Sequence, residues 1–348
     1  MRRKSLALVA VVAVIAMVGL VPASLTAQAG RAATAAAGAP AAGYTPPKTP
    51  WGEPDLQGTY SNRTITPFER PANVKGREFF TPEEVADLEK RASEQNSDEE
   101  RSKGTRGDVE RAYNDFWWDR GTKVTTPRTS LVVDPPDGRV PAQTEEARKR
   151  AAEEAKRPVY RSVGVGGRGT DSWLDRSTFE RCITRGMPGA MSPTAYNNNY
   201  RITQSPGFVA IQIEMLGGTR VIPTDGRRHL TSSIRQLMGD SVGRWEGDTL
   251  VVETTNFTDK VLYRGSAETL HLVERFTRVG PNAIDYRVTV SDPTTFTRPF
   301  TLAIPYVDIG EQMFEYACHE GNYGMEGILS GAREEERQAA EAGQKSSK

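Results

Sequence analysis

The sequence predicts a mainly β protein: an antiparallel meander of roughly eight strands, closed or curled as a calycin-like barrel, with a partly helical N-terminal wrap. Three observations predict it. Between Ala195 and Leu329, apolar residues recur at alternate positions, which sorts side chains onto a buried and a wet face. Turns rich in Gly, Asn and Asp interrupt that pattern at short intervals. The links between the apolar runs are also too short for parallel crossovers.

Tyr200 to Gln204 opens the series, and Val209, Ile211, Ile213 and Met215 share one face of the next strand. Gly217-Gly218 turns the chain into Thr219 to Pro223, and Thr224-Asp225-Gly226 ends that strand. Glu246-Gly247-Asp248 follows Trp245 as a turn into the β-branched run Thr249 to Thr255. Leu270 to Val279 and the next strand form a hairpin around Gly280-Pro281-Asn282. In that second strand Ile284, Tyr286, Val288 and Val290 alternate with Asp285, Arg287, Thr289 and Ser291. Phe300, Leu302 and Ile304 share a face, and Met313 to Cys318 is expected to add the last strand.

The remainder divides by composition. Residues 1–29 read as an export signal: Arg2, Arg3 and Lys4 precede the apolar Leu6 to Val21, and Ala27-Gln28-Ala29 offers a small-residue cleavage site. The apolar run is slightly short for an uncleaved span and has no basic stop-transfer flank, so no stable membrane insertion is expected after cleavage. Residues 30–50 form a low-complexity linker with nothing to bury. Residues 51–194 form the wrap, with a separate small domain as the alternative; residues 195–330 are the barrel and 331–348 a charged tail, expected to fray from Glu334 to Lys348.

Within the wrap, Gly58-Thr59-Tyr60 starts a strand. Thr81-Pro82-Glu83-Glu84 supplies a capping box for a helix to about Ser93. Tyr113, Phe116, Trp117 and Trp118 are a concentrated aromatic group, either a plug on the sheet or one wall of a ligand pocket. Leu131 to Val133 reads as a strand, Glu145 to Arg157 as a charged helix, and Gly164 to Gly169 as a loop without the pattern of a phosphate loop.

Lys plus Arg and Asp plus Glu number 45 each in 348 residues. With no basic stripe, this balance argues against a nucleic-acid partner and leaves a small molecule as the expected one. The two cysteines, Cys182 and Cys318, are an even number in an exported chain, which favours a disulfide over two buried thiols.

Four stretches carry a resemblance: Trp51-Gly52-Glu53-Pro54-Asp55-Leu56-Gln57-Gly58, Tyr196-Asn197-Asn198-Asn199-Tyr200, Gly243-Arg244-Trp245-Glu246-Gly247-Asp248-Thr249-Leu250 and Tyr316-Ala317-Cys318-His319-Glu320-Gly321-Asn322-Tyr323. Together they resemble a family of exported bacterial proteins to which no activity is assigned. The resemblance spans nearly the whole mature chain and implies export without implying a reaction. Gly58-x-Tyr60 is also similar to the Gly-x-Trp opening of lipocalin-type barrels, with Tyr in place of Trp.

The chemistry-bearing residues are few. His271 stands near Glu274, and alternation puts Glu274 on the face of Leu272 and Phe276. If that face is the interior, Glu274 is a buried acid or base; otherwise it lies on the wet face or pairs with an arginine such as Arg275 or Arg287. Gln212 and Glu214 invite the same reading, and His319, next to Cys318, would be held in place by the disulfide.

Asn197, Asn198 and Asn199 read as polar recognition at the barrel mouth or as a turn. His229, Arg235 and Asp240 read as a short lid at that mouth. His229, His271 and His319 have no close spacing to seed a zinc site, and neither a metal nor a cofactor is expected. The function expected is small-molecule binding of calycin type, with an apolar or aromatic ligand in the barrel interior and polar groups at one end; the alternative is a hydrolase or lyase using a His/carboxylate pair in the same cavity.

Overall fold

The hairpins set the architecture. The computed structural model describes residues 44–74, 76–95, 121–156 and 169–346. The strands are β1 (Gly58–Ser61), β2 (Val132–Asp134), β3 (Asn199–Ser205), β4 (Phe208–Ile213), β5 (Thr219–Pro223), β6 (Asp240–Glu246), β7 (Thr249–Thr255), β8 (His271–Gly280), β9 (Ala283–Ser291) and β10 (Phe300–Asp308). Nine of them form a nearly closed antiparallel barrel in the order β5-β4-β3-β1-β10-β9-β8-β7-β6, and β2 pairs with the start of β10. The export signal, most of the linker, Trp117, Trp118 and their aromatic neighbours, and Gly164 to Arg168 lie outside the described residues.

Nine is odd. Every hydrogen-bonded pair around the ring is antiparallel, so β5 and β6 run in the same direction where the ring meets itself. They touch, but no backbone ladder joins them. The link between them, 224–239, therefore spans the length of the barrel, where the sequence suggested only short connections. Gly243 allows the approach: a Cβ there would stand 2.9 Å from Ile222 Cγ2 and 3.1 Å from Thr224 Cγ2.

Side chains fill the interior. Tyr60, Tyr200, Tyr286, Tyr306, Phe276 and Phe300 are fully buried. Tyr200 stacks on Tyr306 with centroids 4.9 Å apart, and Phe276 on Tyr286 at 4.6 Å, so rings run through the core in contact. The alternation that predicted β9 holds in the register: Tyr286 faces Phe276 on one neighbour and Ile304 on the other.

The segment read as a wrap contributes to the barrel itself. β1 sits between β3 and β10, and Tyr60 lies opposite Tyr200. Helix α1 (Pro82–Gln95) has the expected capping box: Thr81 N donates to Glu84 Oε2 at 2.8 Å and Glu84 N to Thr81 Oγ1 at 3.3 Å. Helix α2 (Glu145–Ala155) is capped by Thr144.

Two expectations are corrected. Met313 to Cys318 is not a strand: β1 already covers the end of β10, and the chain leaves the sheet after Asp308, with Phe314 73% exposed. The tail does not fray from Glu334. It continues helix α3 (Tyr323–Ser346), where Arg337 pairs with both Glu334 and Glu341.

Candidate functional site

Strand direction gives the barrel two unlike ends. At one, two-residue turns join β3 to β4, β6 to β7 and β8 to β9. The other receives the connections 62–198, 214–218, 256–270 and 292–299, together with the end of 224–239. Asn197, Asn198, Asn199, Glu214, His229, Arg235, Asp240 and His271 all fall at this loop end.

Glu274 lies in the barrel wall and points inward with no exposure. It does not meet His271. Glu274 Oε1 accepts from Arg220 Nη1 at 2.9 Å and from Tyr286 Oη at 2.8 Å, and its other oxygen also bonds Arg220. Arg220 Nη2 further donates to Ser241 Oγ and Thr254 Oγ1, both at 3.0 Å. Arg220 is on β5, Ser241 on β6, Thr254 on β7 and Glu274 on β8, so this cluster stitches the open seam. Burial alone would lower the pKa of Arg220; the charge and hydrogen bonds of Glu274 reverse that and raise it. Burial, then the Glu274 charge, pushes the Tyr286 hydroxyl well up, so it is a fixed donor. Arg275 and Arg287, the partners expected for Glu274, instead pair outside with Glu246 and Asp285.

His271 faces outward, because residues three apart on a strand lie on opposite faces. Its Nε2 lies 2.7 Å from Glu253 Oε1. The hydrogen bond with His271, above all, holds the Glu253 carboxyl below its usual range, and the nearby charges of His271 and His229 add to this. His229 Nδ1 lies 2.8 Å from Asp240 Oδ2, which also accepts from Leu230 N. Arg235 is spent on the loops: it donates to the carbonyls of Phe257 and Glu268 and pairs with the Glu268 carboxylate at 3.3 Å. His319 is exposed in a turn directly after the disulfide. Among the described residues, no group of three or more His, Cys, Asp or Glu is placed to hold a metal ion.

The Asn run divides. Asn197 has φ +53°, the left-handed geometry of the turn reading. Asn198 is fully buried and exchanges hydrogen bonds with the Thr194 backbone, accepting from its N at 2.7 Å and donating to its carbonyl at 3.1 Å. Asn199 opens β3, and its N donates to Glu214 Oε2 at 3.3 Å. Glu214 is buried at the end of β4, whereas Gln212 is exposed on the outer face.

What closes the loop end lies just ahead of this run. Met187, Ala190 and Met191 join the barrel core as a plug. Tyr200 Oη donates to the Ala190 carbonyl at 3.1 Å, and Tyr306 Oη and Asn62 Nδ2 donate to that of Met191 at 2.9 and 3.0 Å. Beside the plug stand Phe179, Tyr196, Tyr263 and Tyr316, partly buried against the core, with Tyr196 stacked on Tyr316 at 6.3 Å. The disulfide Cys182–Cys318 ties the segments carrying Phe179, Tyr196 and Tyr316, Tyr263 coming from the separate 256–270 connection, and Asn322 Nδ2 adds a bond to the Glu180 carbonyl at 2.9 Å.

Arg185 lies beside these rings, its guanidinium 5.9 Å from the Phe179 centroid and within electrostatic reach of Tyr196, Tyr200 and Tyr263. Sequence reading passed over Arg185, Phe179, Tyr263 and Arg220. The one available signal was the position of Arg185 three residues after a cysteine expected to be bonded. Among the described residues no helix is long and apolar enough to cross a membrane. Comparison with protein-family models and with curated proteins finds no match.

Proposed function

We propose that this chain is an exported small-molecule-binding protein of calycin type, which takes an apolar or aromatic ligand at the loop end of its barrel. The observation that carries the reading is the ring of Phe179, Tyr196, Tyr263 and Tyr316 beside the plug, whose Phe179 and Tyr316 segments are fastened by the disulfide. Aromatic side chains at the mouth of a filled barrel supply apolar area with polar edges, which suits such a ligand. The interior, where the sequence suggested the ligand, is occupied by tyrosines and the Arg220–Glu274 pair, which favours the mouth over the lumen as the binding place. Export is supported by the basic and apolar N-terminal sequence, by the family resemblance, and by a disulfide suited to an oxidising compartment. Neither nucleic acid nor stable membrane insertion belongs to this reading.

The enzyme alternative needs a histidine beside a carboxylate in the cavity. Among the described residues the barrel interior holds no such pair: His271 is outside the barrel, and Glu274 is held by Arg220 and Tyr286, while the His229–Asp240 pair lies in the loop at the mouth. Native mass spectrometry of the oxidised, exported protein, before and after denaturation, tests the binding reading. A small molecule released on denaturation is the expected result. A protein that is empty, and whose melting temperature is moved by no member of a panel of aromatic and aliphatic compounds, overturns it.

A further inference from the structure

We infer that Arg185 anchors an anion site at the loop end, so that the ligand carries a carboxylate on an apolar or aromatic body. This deepens the binding reading above and rests on it. The buried arginines of this chain, unlike the half-buried Arg185, are matched with partners. Arg220 pairs with Glu274 and Arg176 with Glu180. Arg70, without a carboxylate, donates to Thr129 Oγ1 at 3.0 Å and to the carbonyls of Gly76 and Pro136 at 3.0 and 2.7 Å.

Arg185 has no such match. Its Nη1 is buried without a hydrogen-bond partner, and among the described residues it forms no ion pair. Its surroundings are a phenylalanine ring and three tyrosines. Burial pushes the guanidinium below its ordinary pKa. A half-buried cation with no counter-charge is unfavourable, and an enclosed donor such as Nη1 left without an acceptor forfeits the energy that a bound one would return.

A carboxylate suits this arginine in three respects. It cancels the charge, it accepts two parallel N–H bonds from the planar guanidinium, and it leaves its attached body against the rings of Phe179, Tyr196 and Tyr263. A bare inorganic anion would meet only the first two. The disulfide three residues away, at Cys182, holds Arg185 in place before a ligand arrives, which reduces what binding must spend on ordering.

The test is calorimetric titration of the oxidised, exported protein with benzoate and benzamide, and with hexanoate and hexanamide, alongside Arg185→Met and Arg185→Lys. Each acid is expected to bind the native protein at least about tenfold more tightly than its amide. Arg185→Met should abolish that preference, and Arg185→Lys should keep part of it. Because Arg185 is unmatched without ligand, Arg185→Met should melt at or above the native temperature in ligand-free buffer.

Equal binding of acid and amide overturns the anion site while leaving binding at the loop end intact. No binding by any of the four overturns both. Displacement of benzoate by an equal concentration of inorganic phosphate overturns the apolar body. A lowered melting temperature in ligand-free Arg185→Met overturns the inference in favour of a structural cation on Phe179.

Discussion

At the hairpin end, strands are joined by the shortest turns available; at the loop end, the connections carry side chains away from the wall and back over it. The two ends share one wall and one core, yet hydrogen-bonded backbone dominates the first and side chains dominate the second. The contrast teaches where to look for each property. Turn geometry and register set the fold at one end, while the plug, the aromatic ring and the unmatched arginine lie at the other.

The wall between the ends gives the largest expected effect. Glu274→Leu leaves Arg220 buried and unpaired, and is expected to lower stability by about 3–5 kcal/mol in chemical denaturation. Arg220→Met with Glu274→Leu should recover most of that loss, because an apolar pair of similar volume needs no counter-charge. A single variant of native stability would mean that the pair is not enclosed. At the loop end, Cys182→Ser with Cys318→Ser is expected to cost about 2–4 kcal/mol. Hydrogen exchange should localise the change to residues 178–200 and 316–322, with slow amides in β8 and β9 retained. Equal loss of protection in the β8–β9 hairpin would show that the ends are not independent.

The hairpin end offers the converse. Gly247 turns β6 into β7 with φ +61°, so Gly247→Val should cost about 1–2 kcal/mol through backbone strain while leaving ligand affinity unchanged. A change in affinity would tie that turn to the distant mouth. Smallest is the outer face. Glu253 titrates below its ordinary value of 4.5, so its contribution is complete above that pH and is lost as pH falls through the lower folded value. Both side chains of the Glu253–His271 pair are about 40% exposed, which limits this to less than about 1 kcal/mol. In denaturation midpoints from pH 6 to 3, native protein should fall more steeply than Glu253→Gln; parallel slopes would remove the pair from the account.

Much of the barrel was legible because period-two alternation is a local property. Ile284 to Val290 and its hairpin partner declare their faces without knowledge of the rest of the chain. β1 was visible as Gly58-Thr59-Tyr60, but its place between β3 and β10 depends on pairings across more than a hundred residues, which no local pattern carries. The same limit governs the site. Alternation put Glu274 on the apolar face, yet its partner came from β5 rather than from the nearby Arg275 or Arg287. His271 and Glu274 are close in sequence, and that closeness misleads, since three residues along a strand reverse the direction of a side chain. The Cys182–Cys318 bond was legible from parity and compartment alone.

The seam between β5 and β6 has a consequence for how this chain can vary. Elsewhere the wall is held by peptide groups, which every sequence carries alike and which substitution therefore cannot adjust. At the seam the hold is made by Arg220, Glu274, Ser241, Thr254 and the bare backbone of Gly243, each replaceable by itself. Single amino-acid changes can thus tighten or slacken the ring at one line along its circumference, leaving every strand and turn as it was.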